Sequence, residues 1–267
     1  MSNAGTPDRS PRGKPAGGAR LSALYGFHAV GVRLRIAPDT VAEVHVDPQR
    51  RDARMRQFVE RARAAGAAIV DADDARLSQL AKTPRHQGVV ALVSPLPVRA
   101  SMDDVLDEAE RSGEVPLVLL LDGVTDPHNL GACLRAADGA GAHLVIAPRD
   151  HAVGLNSTVA KVASGAAESV PYLMVTNLAR TMGELKERGM TIVGTADDAD
   201  VDLYDADLRG PVAVVLGAEG QGMRHLTRKT CDALVRIPMH GAVESLNVSV
   251  AAALCLYEAA RQRRPAR

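Results

Sequence analysis

Apolar residues along this chain follow two regimes. Up to Val93 they come in short, mixed stretches. Tyr25-Gly26-Phe27-His28-Ala29-Val30 leads into a helical pattern that ends before Pro38. Glu43–Asp47 alternates as a short strand. Over Arg51–Ala65, Met55, Phe58, Val59 and Ala62 share one helix face with arginines around it, and Gly66 stops the pattern. Ala67–Val70 reads as strand, Asp74–Ala81 as short helix and Val89–Val93 as strand. From Val115 onward, nearly continuous apolar runs alternate with helical stretches. The runs are Leu117–Leu121, His143–Ala147, Val170–Val175, Thr191–Thr195, Val212–Leu216 and Ala233–Ile237. Helical patterns lie at Leu130–Gly139, Thr158–Ala167, Leu178–Arg188, Met223–Lys229 and about Leu246–Arg263. Runs of this kind suit parallel strands buried on both faces, so a parallel sheet covered by helices on both sides is expected.

The pattern divides the chain. Residues 1–20 are rich in Gly, Pro and Ser and carry a net charge of +3, which reads as a flexible basic tail. A small α/β unit at 21–97 ends at Pro95 and Pro97. A polar stretch at 98–113, with Ser101 as a helix cap, reads as a linker helix. The alternating α/β domain fills 114–267.

Composition narrows the classes. The 267 residues are 46% hydrophobic and 24% charged, a globular balance. Nowhere are there 18 consecutive apolar residues, and the N-terminus lacks the apolar stretch of a secretory signal. No membrane association is expected. Three cysteines without a C-x-x-C pair argue against a zinc site or disulfide scaffold and fit a reducing cytoplasm. The eight histidines show no H-x-x-x-H spacing, and Asp197–Asp207 lacks the order of a calcium loop, so it reads as a solvated loop and no metal is expected. Net charge is zero, yet residues 1–97 hold 15 Lys+Arg against 9 Asp+Glu, and the remainder is acidic. That asymmetry suits an anionic partner at the basic end, such as nucleic acid, or simply two differently solvated surfaces. Only two Phe, four Tyr and no Trp make a base-stacking platform hard to build.

Three strand ends carry unusual residues, where ligands of open parallel sheets sit. The first runs Asp122-Gly123-Val124-Thr125-Asp126-Pro127-His128-Asn129-Leu130-Gly131-Ala132-Cys133-Leu134-Arg135, with a helix starting near Asn129. Arg135 lies six residues on, off Asn129's helix face, and could instead pair with Asp138. The second is Gly217-Ala218-Glu219-Gly220-Gln221-Gly222, which meets neither the dinucleotide nor the P-loop fingerprint and could be a plain turn. The third is Ile237-Pro238-Met239 followed by Glu244-Ser245-Leu246-Asn247, where Ser245 or Asn247 could simply cap a helix.

Together and in this order, these motifs resemble the SpoU (TrmH) family of RNA ribose 2′-O-methyltransferases. The resemblance covers Val115 to Arg263, with the N-x-G-x-x-x-R core at Asn129, Gly131 and Arg135. Tyr25–Val30, His86-Gln87-Gly88, Asp126–Asn129 and Ala163–Glu168 resemble one branch of that family. That branch has a front RNA-binding domain like ribosomal protein L30e and methylates a guanosine in the peptidyl-transferase P loop of 23S rRNA. The resemblance implies a small L30e-like domain, a parallel sheet with a C-terminal trefoil knot, and a homodimer with its active site across the interface. It implies S-adenosylmethionine as methyl donor, held by Gly217, Ile237 and Leu246, with Gly220, Gly222, Met239 and Thr195 in the same pocket. Arg135 would activate the 2′-hydroxyl, with Asn129, Glu219 and Asn247 orienting Arg135 and the substrate and Ser245 supporting Asn247. Since arginine keeps its proton, stabilising a developing alkoxide and gripping a phosphate suits Arg135 better than acting as a base. Arg50, Arg51, Arg54, Arg56, Arg61 and Arg63 are the candidates for RNA contact, unless they form only a solvated helix face. A tRNA target, another rRNA site, or an inactive RNA-binding dimer stays open. An ordinary dinucleotide-type domain is disfavoured, because the first strand ends in Asp-Gly-Val-Thr-Asp-Pro rather than a glycine fingerprint.

Overall fold

The computed structural model describes residues 21–94 and 101–264. The basic tail, Pro95 and Pro97 lie outside them. The front domain runs β1 (Ser22–Tyr25), α1 (Phe27–Ile36), a 3-10 turn, β2 (Val41–Val46), α2 (Ala53–Ala64), β3 (Ala68–Asp71), α3 (Asp74–Ala81) and β4 (Val89–Val93). Its sheet order is β1-β4-β2-β3, with β4 antiparallel to both neighbours and β2 parallel to β3. The arginine-ringed helix is α2. Asp52 caps it, its Oδ1 accepting from Met55 N at 3.1 Å, and Met55, Phe58 and Ala62 are its buried stripe. Phe58 meets Phe27 of α1 edge to face at 5.4 Å. Strand β1 has no counterpart in the sequence reading. Its four residues are too few for a period to emerge, and β4 templates it.

His86 explains the His86-Gln87-Gly88 turn. It is buried, and its Nδ1 accepts from Gly88 N at 3.1 Å. This sets Gln87 at φ 56 and turns its Oε1 to accept from Phe27 N at the start of α1.

The second domain begins with α4 (Met102–Arg111). Then come β5 (Leu117–Asp122), α5 (Pro127–Ala140), β6 (Leu144–Pro148), α6 (Ser157–Ala163), α7 (Ala166–Ser169), β7 (Tyr172–Val175), α8 (Leu178–Glu187) and β8 (Thr191–Thr195). They are followed by β9 (Val201–Asp202), β10 (Val212–Gly217), α9 (His225–Thr230), β11 (Ala233–Arg236) and α10 (Val248–Gln262). Seven strands form one sheet in the order β7-β6-β5-β10-β8-β11-β9, and every pairing is parallel. Alternate residues of β5 face opposite cores. Leu117, Leu119 and Leu121 pack with α5, α6 and α10, while Val118 and Leu120 pack with α4 and α8. Each such fully buried leucine contributes ~2 kcal/mol, which is why the central strands read as unbroken apolar runs.

Three segments depart from the sequence reading. The linker helix, α4, is built into the second domain. Leu106 is buried beside Val118 and Leu120, and Arg188 reaches Asp103, Asp107 and Glu110 across to it. Met102, Val105, Leu106 and Ala109 form its apolar stripe, set among acids that make the segment polar as a whole. The helix expected over Thr158–Ala167 breaks at Ser164 and Gly165, both at positive φ. The break brings the domains together, since a Cβ on Gly165 would sit 2.8 Å from Val32 Cγ2 of α1. One turn later Glu168 accepts from Arg33 Nε at 2.7 Å, and Arg33 is itself buried. Finally, the acidic loop Asp197–Asp207 contains β9 and buries Leu203.

After β11 the chain returns past the loop of β10 and changes face, so α10 docks on α5 rather than on α8. Close packing of α5 against α6 requires Gly131, where a Cβ would meet Val162 Cβ at 2.7 Å and the Val159 carbonyl at 3.0 Å. Gly131→Ala should therefore destabilise the fold by ~1–3 kcal/mol despite alanine's better helix propensity. A thermal melt showing no loss would refute this packing role.

Candidate active site

The carboxyl ends of β5, β8 and β10 and the segment 237–247 meet on one edge of the sheet. Asp126 caps α5, its Oδ1 accepting from His128 N at 2.9 Å. Asn129 is thus in the first turn rather than the cap, which leaves its amide free for other partners. Asn247 caps α10, its Oδ1 accepting from Ser249 N at 2.9 Å and Ser249 Oγ at 2.6 Å. Its Nδ2 donates to Asn129 Oδ1 at 2.9 Å and to Glu219 Oε1 at 2.7 Å. Glu219 Oε1 also accepts from Asn129 Nδ2 at 3.3 Å and Val248 N at 3.2 Å. Three motifs far apart in sequence therefore share one hydrogen-bonded cluster. Glu219 Oε2 has no partner among the described residues and stands as an open acceptor.

The loop that carries Glu219 closes on itself. Ala218 and Gly222 exchange backbone hydrogen bonds at 3.1 and 2.9 Å. Gly220 and Gly222 take φ of 76° and 67°, which L side chains rarely adopt. Gly217 lies beneath the return strand, where a Cβ would come within 2.0 Å of the Gly222 carbonyl carbon. Its smallness serves the chain's own packing first. Around Gly220 and Gly222 the space for a Cβ is open.

Beside this loop lies a cleft of about 450 Å³, walled by Thr195, Gly217 through Gly222, Ser245, Leu246 and the base of α10. A hollow of about 140 Å³ continues it to Ile237 and Met239. Thr195, Gly217, Gly220, Gly222, Ile237, Met239 and Leu246 therefore line one continuous recess. Asp197, Glu219 and Glu244 also line it, against one arginine, Arg228, which Asp198 holds through two bonds of 2.9 and 3.0 Å. That hydrogen bonding holds the Asp198 carboxyl below its ordinary range. The recess presents a surplus of carboxylates suited to a cationic ligand.

Two sequence-predicted residues stand apart from the cluster. Ser245 lines the recess but makes no hydrogen bond to Asn247. Ser249 does so instead, because a helix cap bonds the residue two places into its helix. Arg135 is exposed and has no hydrogen-bond or ion-pair partner among the described residues. Asp138 accepts from Ser169 rather than from Arg135. Arg135 lies one turn before Gly139, where Tyr257 Oη would be 2.6 Å from an added Cβ. It thus sits near the exposed side of α10, where Val250 and Tyr257 are 46% and 48% exposed.

Cys133, between Gly131 and Arg135, is buried and its thiol is pushed up to about 12, chiefly by burial. It is a core residue and no nucleophile at neutral pH. No group of three metal-ligating side chains occurs among the described residues.

Sequence reasoning missed Asp122. It is buried at the end of β5, in register with Gly217. Its Oδ2 accepts from Arg224 N at 2.9 Å and its Oδ1 from Arg224 Nε at 2.6 Å. This carboxylate pins the far end of the glycine loop. The available signal was an acid closing a continuous apolar run. Asp122→Ala should cost ~1–3 kcal/mol by orphaning the Arg224 amide. It should also speed tryptic cleavage after Arg224, while Asp122→Asn, which keeps an acceptor, should fall between. Unchanged melting and cleavage would show that the loop holds itself.

The model of the SpoU rRNA Methylase family matches residues 116–257, and a model described as RNA 2′-O ribose methyltransferase substrate binding matches residues 23–98. A 23S rRNA (guanosine-2′-O-)-methyltransferase RlmB from Ralstonia nicotianae is 60% identical, covering 92% of this chain and 97% of its own. Its namesake from Shewanella oneidensis is 51% identical over 90% and 97% of the two chains. The crystal structure of the SpoU methyltransferase AviRb from Streptomyces viridochromogenes in complex with AdoMet superposes with a TM-score of 0.70 at 27% identity, covering 91% of this chain and 90% of that one. Fold class, motif order and kinship agree: the chain belongs to the SpoU rRNA methylase family.

Proposed function

We propose that this protein uses S-adenosylmethionine to methylate the ribose 2′-oxygen of a guanosine in 23S rRNA, within the peptidyl-transferase P loop. The observation that carries the reading is the Asn129–Glu219–Asn247 cluster at the rim of a carboxylate-rich recess. The relatives named for guanosine 2′-O-methylation of 23S rRNA match this chain along nearly its whole length, which supports the target. The specific P-loop guanosine rests on the sequence resemblance.

The recess fits the donor on its own chemistry. S-adenosylmethionine supplies, when bound, an electrophilic methyl group on a sulfonium centre. Asp197, Glu219 and Glu244 suit its cationic groups, and the open space over Gly220 and Gly222 lets a ligand approach the backbone. Ile237, Met239 and Leu246 offer apolar surface. Glu219 and Asn129 orient the acceptor ribose, with Asn247 tying them to α10. A 2′-hydroxyl is a poor nucleophile until its proton is handled. Arg135 keeps its own proton, so its part is to stabilise the charge developing on that oxygen as the hydroxyl proton passes to solvent, and to hold the neighbouring phosphate. Its lack of a carboxylate partner leaves it available for this.

Arg135→Ala should lower the single-turnover rate on an rRNA fragment by ~10²–10³, with affinity for S-adenosylmethionine unchanged. Arg135→Lys should also be poor, since an ammonium lacks the planar fork. A stable and fully active Arg135→Ala enzyme would remove Arg135 from the mechanism.

The working form is a homodimer that buries the exposed side of α10. Val250 and Tyr257, seven residues apart, give that side an apolar stripe, and Arg135 lies near it. Arg135 is about 9 Å along α5 from Asn129 and on a different face, which supports a site completed by the second copy. Mixed dimers of Arg135→Ala and Asn129→Ala subunits should then regain activity that neither homodimer has. A monomer by sedimentation at micromolar concentration, or no regain on mixing, would overturn this arrangement. The free, largely buried cysteines fit a cytoplasmic setting.

A further inference from the structure

The front domain holds a hollow of about 210 Å³ between α1 and α2. Arg35, Arg54, Arg61, His28 and Gln57 rim it over a floor of Phe27 and Phe58, and no carboxylate lines it among the described residues. A second cleft, of about 350 Å³, lies between the domains. Arg85 of the front domain and Lys161 of α6 line it, again without a carboxylate, and His28 belongs to both linings. Arg35, Arg54, Arg61, Arg85 and Lys161 are exposed, and none has an ion-pair partner among the described residues. Several arginines of the second domain differ: Arg188, Arg209, Arg224, Arg228 and Arg236 engage carboxylates.

We infer that these two hollows are successive phosphate subsites of one RNA track, bridged by His28, that leads from α2 across the domain boundary onto α6. The inference rests on the RNA-methyltransferase reading and adds where the strand runs. Two features favour phosphates over bases as the occupants. First, the Phe27 ring is buried, with the guanidinium carbons of Arg50 and Arg54 at 4.9 and 4.5 Å from its centroid and Phe58 packed against it in a T-shaped pair. It offers no free face for stacking. Second, lying on that ring restrains the Arg54 head group, so a flexible side chain is set in advance toward an anion.

The track also divides the candidate arginines. Arg50 is bound to Asp52 at 2.6 Å and to the Gln87 carbonyl at 2.6 Å, and Arg56 donates to the Arg51 carbonyl at 3.0 Å. Those two serve the loop and helix start, whereas Arg54 and Arg61 face the hollow.

The test is salt-dependent binding of a 23S rRNA fragment by the full-length protein. Arg54→Gln/Arg61→Gln and Arg85→Gln/Lys161→Gln should each weaken binding ~10-fold or more and flatten the slope of log K against log salt by about 1–2. Methylation at saturating RNA and affinity for S-adenosylmethionine should be retained. Arg111→Gln/Arg209→Gln removes equal charge elsewhere and should leave the slope near wild type. Unchanged affinity and slope in the track variants, with wild type active on the fragment, would overturn the track alone. An equal loss in the Arg111/Arg209 variant would also overturn it, reducing the effect to net charge. A wild-type protein that neither binds nor methylates the fragment would instead sink the underlying reading.

Discussion

One carboxylate oxygen, Glu219 Oε1, accepts hydrogen bonds from α5, from Asn247 and from the first amide of α10. Asn129 of α5 lies 118 residues before Asn247, and Val248 follows Asn247 directly. The cluster can form only if the loop after β10 holds Glu219 still. Two constraints do that. Gly217 lets the loop fold back onto its own strand, and Asp122 fixes Arg224 at the loop's exit. The site is therefore a product of how three chain segments are pinned at one sheet edge, and the side chains that touch substrate are the last layer of it.

The central strands were legible because they are buried on both faces and leave nothing but apolar residues to read. Thr191–Thr195 and Val89–Val93 match the sequence reading residue for residue. Where tertiary contact rather than pattern decides the outcome, the reading failed. Nothing local announces that Gly165 breaks a helix so that Val32 can approach. Strand β9 is two residues long and exists because β11 offers an edge.

The candidate site divides the same way. Asn129, Glu219 and Asn247 were found by motif, and their mutual hydrogen bonds are a consequence of folding that spacing could not reveal. Asp122 escaped notice because a single acid at the end of an apolar run looks like the start of a turn. The resemblance implies Ser245 as Asn247's support. Helix geometry assigns that place to Ser249.

The uneven charge along the chain acquires a purpose in three dimensions. The acidic half walls the recess with carboxylates, and the basic half keeps unpaired guanidiniums around hollows free of acids. Under the proposed function, a cationic donor and a polyanionic acceptor would be drawn to separate surfaces of one molecule, so that neither competes for the other's site. Such a division works only if the two surfaces keep their distance, because an in-line transfer tolerates little misplacement of the reacting atoms. The buried Arg33 supplies that rigidity. It spans from α1 to Glu168 while also donating to Thr40 Oγ1 and the Ser94 carbonyl, so both domains share its hydrogen bonds. Rotating the front domain away would break this charge-assisted hydrogen bond and uncover the surface packed between Val32 and Gly165. The domain matched by the substrate-binding model is in this way held in register with the methylase domain.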